Sequence, residues 1–326
     1  MKGALVIANA VNGIPSKTTV EALGAGQMFA EKFREPLSVG LIGECSGAVF
    51  SRYGVETIYR VASFANECHP EAHFRALEEI IKTAESRFVI FFSDDAGKEL
   101  APRMAYRMHA GIVTNVIGMR GLESSDALFL LRPAYGGKAI ASLAIKKFPI
   151  VLTVKPHAFH EANECQMRAR EIEVTIDSVT DADAARLRMV GKTNEEVSGV
   201  KLEDAAIVVS GGRGMNGPEG FQKLAELAAA LGGAVGASRA ATDAGWCSHA
   251  LQVGQTGKTI SPDLYFAFGI SGATQHVAGM SGAKTIVAIN RDADAPIFKV
   301  AHFGIVADAH AILPLLIEKC KALRSE

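Results

Sequence analysis

Four short turns of small and polar residues concentrate the groups able to do chemistry in this chain. They are Ser210-Gly211-Gly212-Arg213-Gly214, Ala237-Ser238-Arg239, Val253-Gly254-Gln255-Thr256-Gly257-Lys258 and Ser271-Gly272-Ala273-Thr274-Gln275-His276. In the last, small side chains permit close approach, and the free N–H groups of a helix start attract an anion. Arg213 and Arg239 each follow a short apolar run, at the sheet end where open α/β folds bind ligands. Two arginines at matching places imply a shared anionic ligand. This density between Ala205 and Asn290 points to one large, phosphate-bearing ligand held by several loops.

Familiar fingerprints describe the region incompletely. Gly212-Arg213-Gly214-Met215-Asn216-Gly217 matches GxGxxG and stands between an apolar run and an amphipathic segment, as a dinucleotide fold requires. The acidic residue expected after the second strand is missing. Arg239 stands near that place, which by fingerprint alone favours NADP. Gly254-Gln255-Thr256-Gly257-Lys258-Thr259 looks like a P-loop but lacks the first glycine, where Gln252 stands, and Pro262 falls where its helix would run. His276, taken alone, reads as a partly exposed histidine on a capped helix.

The elements that must position these turns read as two α/β domains, because 326 residues are long for one compact core. Apolar runs at 5–8, 37–42, 55–59, 88–92 and 112–117 alternate with amphipathic segments such as 18–33 and 70–86. That pattern predicts a mainly parallel sheet flanked by helices. Runs at 127–131, 139–145, 150–154 and 171–176 follow with little helix between them and predict a strand meander, with Gly136-Gly137 as a hairpin turn. A polar stretch ending near 195–200 divides the chain into domains 1–197 and 198–326. The second domain begins with a buried-type strand at 205–210. Its helix at 218–231 carries Phe221, Leu224, Ala225, Ala228 and Leu231 on one stripe.

Composition excludes several classes. A formal net charge of −1, 48% hydrophobic and 21% charged residues describe an ordinary globular chain with no field for nucleic acid or an anionic membrane. No stretch approaches the ~20 apolar residues of a membrane span, and the first apolar run is too short for a signal peptide. The cytosol is therefore the expected location. The five cysteines form no CxxC and are expected to be reduced. His69 with His73, and His157 with His160 and Glu161, do not converge as ligands, so no metal is expected.

Together the turns resemble the α subunit of electron-transfer flavoproteins. The resemblance also rests on Val235-Gly236 before Ala237, on Gln252, on the whole run from Gly269 to Met280, on Lys284-Thr285-Ile286-Val287-Ala288-Ile289-Asn290 and on Ala295-Pro296-Ile297-Phe298. It covers most of the second domain in order, and the first domain more loosely. It implies a Rossmann-like C-terminal domain with non-covalent FAD, and a β subunit facing the N-terminal domain. It further implies electron carriage from flavin dehydrogenases to an acceptor such as a membrane quinone oxidoreductase, without net chemistry on a metabolite.

By matching positions, the resemblance places FAD on Arg213, Ser238, Arg239, Val253, Gly254, Gln255, Thr256, Ser271, Gly272, Ala273, Thr274, Gln275, His276, Asn290, Asp308 and Ala309. Ser238 and the 271–276 turn fall near the pyrophosphate and ribityl, Arg239 over the isoalloxazine, Thr256 near N5 and His276 near the C2 carbonyl. Asn290 and Asp308 fall at the adenosine end. Thr274, Ala309 and Ser248 depart from the usual family residues. The runner-up is an NADP-binding dehydrogenase or transhydrogenase-type domain. Reduced flavin is anionic around N1 and C2=O, and a cation ~4 Å away at an effective dielectric of about 20 stabilises it by about 4 kcal/mol, or roughly 170 mV for one electron. Arg239 and a protonated His276 are expected to set the potentials in this way.

Overall fold

The computed structural model describes all residues except 12–13, 44, 63–69, 121–127, 138, 166, 177–199 and 324–326. They form two compact units, Met1–Ala134 with Ala139–Lys192, and Thr193–Glu326 with Tyr135–Lys138. The boundary expected at 197/198 and His69 lie outside the described residues.

The first unit contains strands β1 (Ala4–Ala8), β2 (Leu37–Ile42), β3 (Thr57–Val61), β4 (Phe88–Phe92) and β5 (Gly111–Val116). Helices α1 (Lys17–Phe33), α2 (Pro70–Ala84) and α3 (Asp95–Arg107) alternate with them. Strands β6 (Gly118–Arg120), β7 (Leu128–Ala134), β8 (Ala139–Ile145), β9 (Ile150–Val154) and β10 (Arg170–Glu173) follow. Seven strands pair in parallel in the order β10-β3-β2-β1-β4-β9-β5.

The meander expectation is only partly met. Strands β6, β7 and β8 do form an antiparallel sheet, with β7 and β8 joined at Tyr135–Gly137. Strand β9 instead inserts between β4 and β5, with Ile150 opposite both Phe88 and Gly111, and β10 takes the far edge beside β3. All five residues of β9 are buried. A strand apolar on both faces needs cover on both, which the parallel sheet supplies and an exposed hairpin does not.

The second unit runs β11 (Ile207–Gly211), α4 (Pro218–Leu231), β12 (Ala234–Ala237), α5 (Arg239–Asp243), β13 (Leu264–Phe268), α6 (Thr274–Met280), β14 (Thr285–Asn290), β15 (Phe303–Val306) and α7 (Ala309–Leu323). Its five strands are parallel in the order β12-β11-β13-β14-β15. The order reverses between β11 and β13, which makes the carboxyl end of these two strands a topological switch point. Helix α4 opens on Pro218 and stops at Gly232, whose φ of 67° suits the left-handed cap. Its buried arc centres on Leu224, with Gly220 and Leu227 on one side and Phe221 and Ala228 on the other. Ala225 lies past the rim of that arc and is exposed, against expectation.

Two glycines bring the turns after β11 and β13 into backbone contact. A Cβ on Gly214 would stand 2.7 Å from Gly269 Cα, and Gly214 N donates to Gly269 O at 3.0 Å. Gly214→Ala is therefore expected to destabilise the fold by about 1–3 kcal/mol. A lower urea midpoint at unchanged slope is the measurement. An unchanged midpoint would mean the two turns part freely.

Candidate functional site

The turns singled out in the sequence gather at the carboxyl edge of the second unit's sheet. Arg213 follows β11, Ser238 and Arg239 follow β12, Ser271 to His276 follow β13, Asn290 ends β14 and Asp308 follows β15. Backbone bonds lace them together. Ser238 N donates to Gly211 O at 2.9 Å, Gly212 N to Phe268 O at 2.8 Å, Val253 N to Ala237 O at 2.9 Å and Gln255 N to Gln275 O at 2.8 Å. Loop 252–258 lies directly on α6, since a Cβ on Gly279 would meet Gly254 N at 2.4 Å.

Side chains then aim individual groups. Gln252 is buried, its Oε1 accepts from Thr242 Oγ1 at 2.8 Å, and its Nε2 donates to Thr256 Oγ1 at 3.0 Å. Thr256 is thus oriented by an amide rooted in α5, the helix that begins with Arg239. Asn290 Nδ2 donates to Ile270 O at 2.9 Å, while its Oδ1 accepts from Asp292 N at 3.0 Å. Asp308 Oδ1 accepts from His310 N at 2.9 Å. Both residues tether loops first, with one amide hydrogen and one carboxylate oxygen left over.

The sixteen expected contact residues divide by exposure. Arg213, Arg239, Gln255, Thr256, Ser271, Ala273, Thr274, Gln275 and Asp308 are exposed. Val253, Gly254, Gly272 and Ala309 are buried. Their side chains, where present, pack inward, so they offer a ligand backbone groups at most.

Four buried polar atoms at this edge have no close partner among the described residues, Ser210 Oγ, Ser238 Oγ, His276 Nδ1 and His310 Nε2, although the Tyr265 phenol stands beside the first and the Val253 backbone beside the His276 ring. Ser238 is the N-cap of α5, yet its hydroxyl does not cap that helix. An orphaned buried polar atom costs about 1–3 kcal/mol. Ser238 Oγ, which has no such neighbour, therefore fits a polar ligand reaching over the sheet edge.

His276 is buried, not partly exposed, and its Nε2 lies 2.8 Å from the hydroxyl of the fully buried Tyr265. Desolvation lowers its pKa from 6.5 to about 4, opposed by the Val253 backbone. The expectation of a protonated His276 is thus corrected. Burial penalises the charged form, and the ring is neutral at pH 7. The Arg239 side chain is 66% exposed, with Nε 3.2 Å from Asp243 Oδ2. Solvent and this partner screen its charge, so its influence falls well below that of a buried, unpaired cation.

The GxGxxG stretch does not frame a pyrophosphate in the dinucleotide manner. A 3-10 turn, Arg213–Met215, separates β11 from α4, and Gly269 and Ile270 occupy the space beside Gly212 and Gly214. These glycines admit the neighbouring turn rather than a ligand.

Residues 201–281 match the electron transfer flavoprotein FAD-binding domain, and residues 4–181 match the electron transfer flavoprotein domain. The chain is 38% identical over 324 residues to the electron transfer flavoprotein subunit alpha of Thermoanaerobacterium thermosaccharolyticum, covering 98% of each chain. The chain belongs to the electron transfer flavoprotein α-subunit family. The Bacillus subtilis α subunit is also 38% identical, over 99% of this chain and 98% of the relative. The mitochondrial α subunit of Arabidopsis thaliana is 32% identical over 97% and 88%. The second unit therefore carries an FAD-binding domain, and the NADP dehydrogenase alternative falls. Electron transfer flavoprotein α subunits carry electrons rather than convert metabolites, and they pair with a β subunit. Among the described residues no helix is long and apolar enough to cross a membrane.

Sequence reasoning gave no role to Thr242, Gln252 or Tyr265. For Tyr265 a signal existed, because a tyrosine inside an apolar strand must place its hydroxyl on a partner.

His276 binds no proton in the folded chain until about pH 4, but binds one near 6.5 when unfolded. Stability present above pH 6.5 is therefore lost as pH falls toward 4, by about 3 kcal/mol in full. Urea midpoints at pH 7 and 4.5 are expected to fall further for the wild type than for His276→Gln. Equal falls would show that His276 titrates freely in the native state.

Proposed function

We propose that this chain is the FAD-carrying α subunit of a heterodimeric electron-transfer flavoprotein that passes electrons from flavin dehydrogenases to a downstream acceptor such as a membrane quinone oxidoreductase. One observation carries the reading: Ser238 Oγ, buried and without a partner among the described residues, stands with the 271–276 turn at the carboxyl edge of a sheet in a unit that matches an FAD-binding domain. Flavin, when bound, supplies the redox chemistry, and the chain supplies position and electrostatics.

In this reading Arg213, Ser238 and the 271–276 turn hold the pyrophosphate and ribityl. Arg239 covers the ring face, Thr256 serves the N5 region, His276 the C2 carbonyl, and Asn290 and Asp308 the adenosine end. Gln252 keeps Thr256 and α5 in register. Neutral His276 contributes a dipole, which leaves Arg239 as the charged group that favours the reduced cofactor. Arg239→Ala is expected to lower the flavin midpoint potential by tens of mV, the equivalent of about 1 kcal/mol for a screened charge. Redox titration of the holoprotein checks this, and an unchanged potential counts against Arg239 at the ring. The FAD reading itself is tested by counting flavin per heterodimer. A colourless complex that binds NADPH would reject it.

The β-subunit contact belongs to the N-terminal domain, residues 1–197, with FAD in 198–326. Strand β8 supports this: it is the edge of its three-stranded sheet, and Ile140 and Leu143 on it are 64% and 37% exposed. Bare apolar edges invite pairing and are covered in stable assemblies. Ile140→Asp is expected to reduce β-subunit recovery in pull-down several-fold, while the flavin-binding unit keeps its urea midpoint. Full recovery would move the contact elsewhere.

A further inference from the structure

The run that looks like a P-loop ends on Lys258, a cation to which the flavin site above gives no role. Its Nζ stands 2.9 Å from Glu203 Oε1 and donates to Oε2 at 3.0 Å, so one ammonium spans both carboxylate oxygens. Lys258 also closes loop 252–258. Its N donates to Gln252 O at 2.7 Å, and its O accepts from Gly254 N at 3.1 Å. Between these bonds the loop turns tightly. Gly257 N donates to Gly254 O at 3.1 Å, and a Cβ on Gly257 would collide with Gln252 O. Thr256 sits on the tip, and Gln252 Nε2 at the base donates to its hydroxyl at 3.0 Å. Glu203 belongs to the segment that leads into β11. Leu202 beside it is 2% exposed and lies in the same core cluster as Val253 and Ile260, on either side of the loop tip.

We propose that Glu203 and Lys258 are positioning residues: their ion pair anchors the base of loop 252–258, so that the Gln252 amide keeps the Thr256 hydroxyl aimed at the bound flavin. The proposal rests on the FAD reading above and adds to it what holds the loop. The Lys258 side chain is 28% exposed and that of Glu203 45%. At such exposure an ion pair adds little to global stability, so its worth lies in the geometry it fixes. The ammonium meets its counter-charge within the chain, which marks it as a strut and not as a phosphate ligand. Without the carboxylate it is free to turn into water, and the loop base loses its side-chain anchor. A small shift at the base then moves Thr256, because the glycine turn between them leaves no slack.

The test uses the holo heterodimer. Glu203→Gln keeps the shape and removes the charge, and FAD dissociation is expected to quicken about two- to fivefold, as for one partly exposed ion pair. Lys258→Met is expected to do the same, and the exchanged pair, Glu203→Lys with Lys258→Glu, to recover most of the loss. In about 1 M salt the difference between wild type and Glu203→Gln is expected to shrink. The route through Thr256 is read from the flavin midpoint potential, which Glu203→Gln is expected to shift in the wild type but not in Thr256→Val. Wild-type dissociation in Glu203→Gln would overturn the proposal, as would an equal potential shift in Thr256→Val. A faster rate in Lys258→Met alone would put the ammonium on the cofactor and overturn it too. Flavin absorbance of the wild type tests the FAD reading separately. A colourless heterodimer would reject that reading, while faster hydrogen exchange at the Gly257 and Lys258 amides in Glu203→Gln would still support the anchor, and unchanged exchange would overturn it.

Discussion

Four turns share one ligand only if their backbones can meet, and in this chain glycine is what lets them meet. Gly214 and Gly269 touch through their Cα atoms, and Gly279 receives the backbone of Gly254. The first contact joins the turns after two different strands and the second seats a loop on helix α6, so side chains at these positions would wedge the site open. Close packing then transmits position. With Gly254 seated on α6, the Gln255 amide reaches Gln275 O, and with Gly214 seated on Gly269, the β11 and β13 turns stand level. The ligand edge is thus assembled by the fold itself, and preorganised polar groups cost nothing further to align.

The same packing decides what kind of electrostatics the site can use. Behind the edge the polar groups are neutral and bonded to one another: Thr242 to Gln252, Gln252 to Thr256, Tyr265 to His276. The charged groups, Arg213 and Arg239, stand outside in water. A buried cation would need an anionic partner to offset its desolvation, and His276 meets only the Tyr265 phenol and the Val253 backbone, so it gives up its proton instead. Dipoles fixed in a medium of low polarizability act strongly over short distances and do not vary with pH near neutrality. That arrangement suits a carrier whose potential must be steady, and it leaves Arg239 a screened, adjustable contribution.

The sequence made the local elements legible and left the long-range choices open. Helix α4 and strands β13 and β15 stand where the apolar pattern and the flanking glycine and proline placed them, because those signals act within one or two turns of chain. Strand β9 was visible as a strand, but its neighbours were not. Five consecutive buried residues report cover on both faces and say nothing about which strands provide it. The turns of the site were legible as a group, yet their states were not. Whether His276 is exposed or buried depends on α6 lying under loop 252–258, a contact between segments about twenty residues apart in sequence. Whether Asn290 faces a ligand or a neighbouring loop depends on Ile270 and Asp292 in the same way.

Both units are parallel sheets with a switch point, so topology alone does not locate the function. In the first unit the reversal lies between β1 and β4. There the polar groups are spent on each other: Thr19 Oγ1 both accepts from Asn9 N and donates to Asn9 O, and Asp94 Oδ1 caps α3 through Gly97 N. Two cavities beside Asn9 and His73, the smaller also lined by Asp94, measure about 80 and 20 Å³, far below the roughly 300 Å³ at which small-ligand pockets begin. At the second switch point Ser238 Oγ, at the N-cap of α5, is left without a partner among the described residues. Similar sheets therefore diverge through the satisfaction of a few polar atoms. Where the side chains close the hydrogen-bond ledger among themselves, the crevice becomes scaffold. Where a buried hydroxyl stays open, the crevice keeps a group that a ligand can bond.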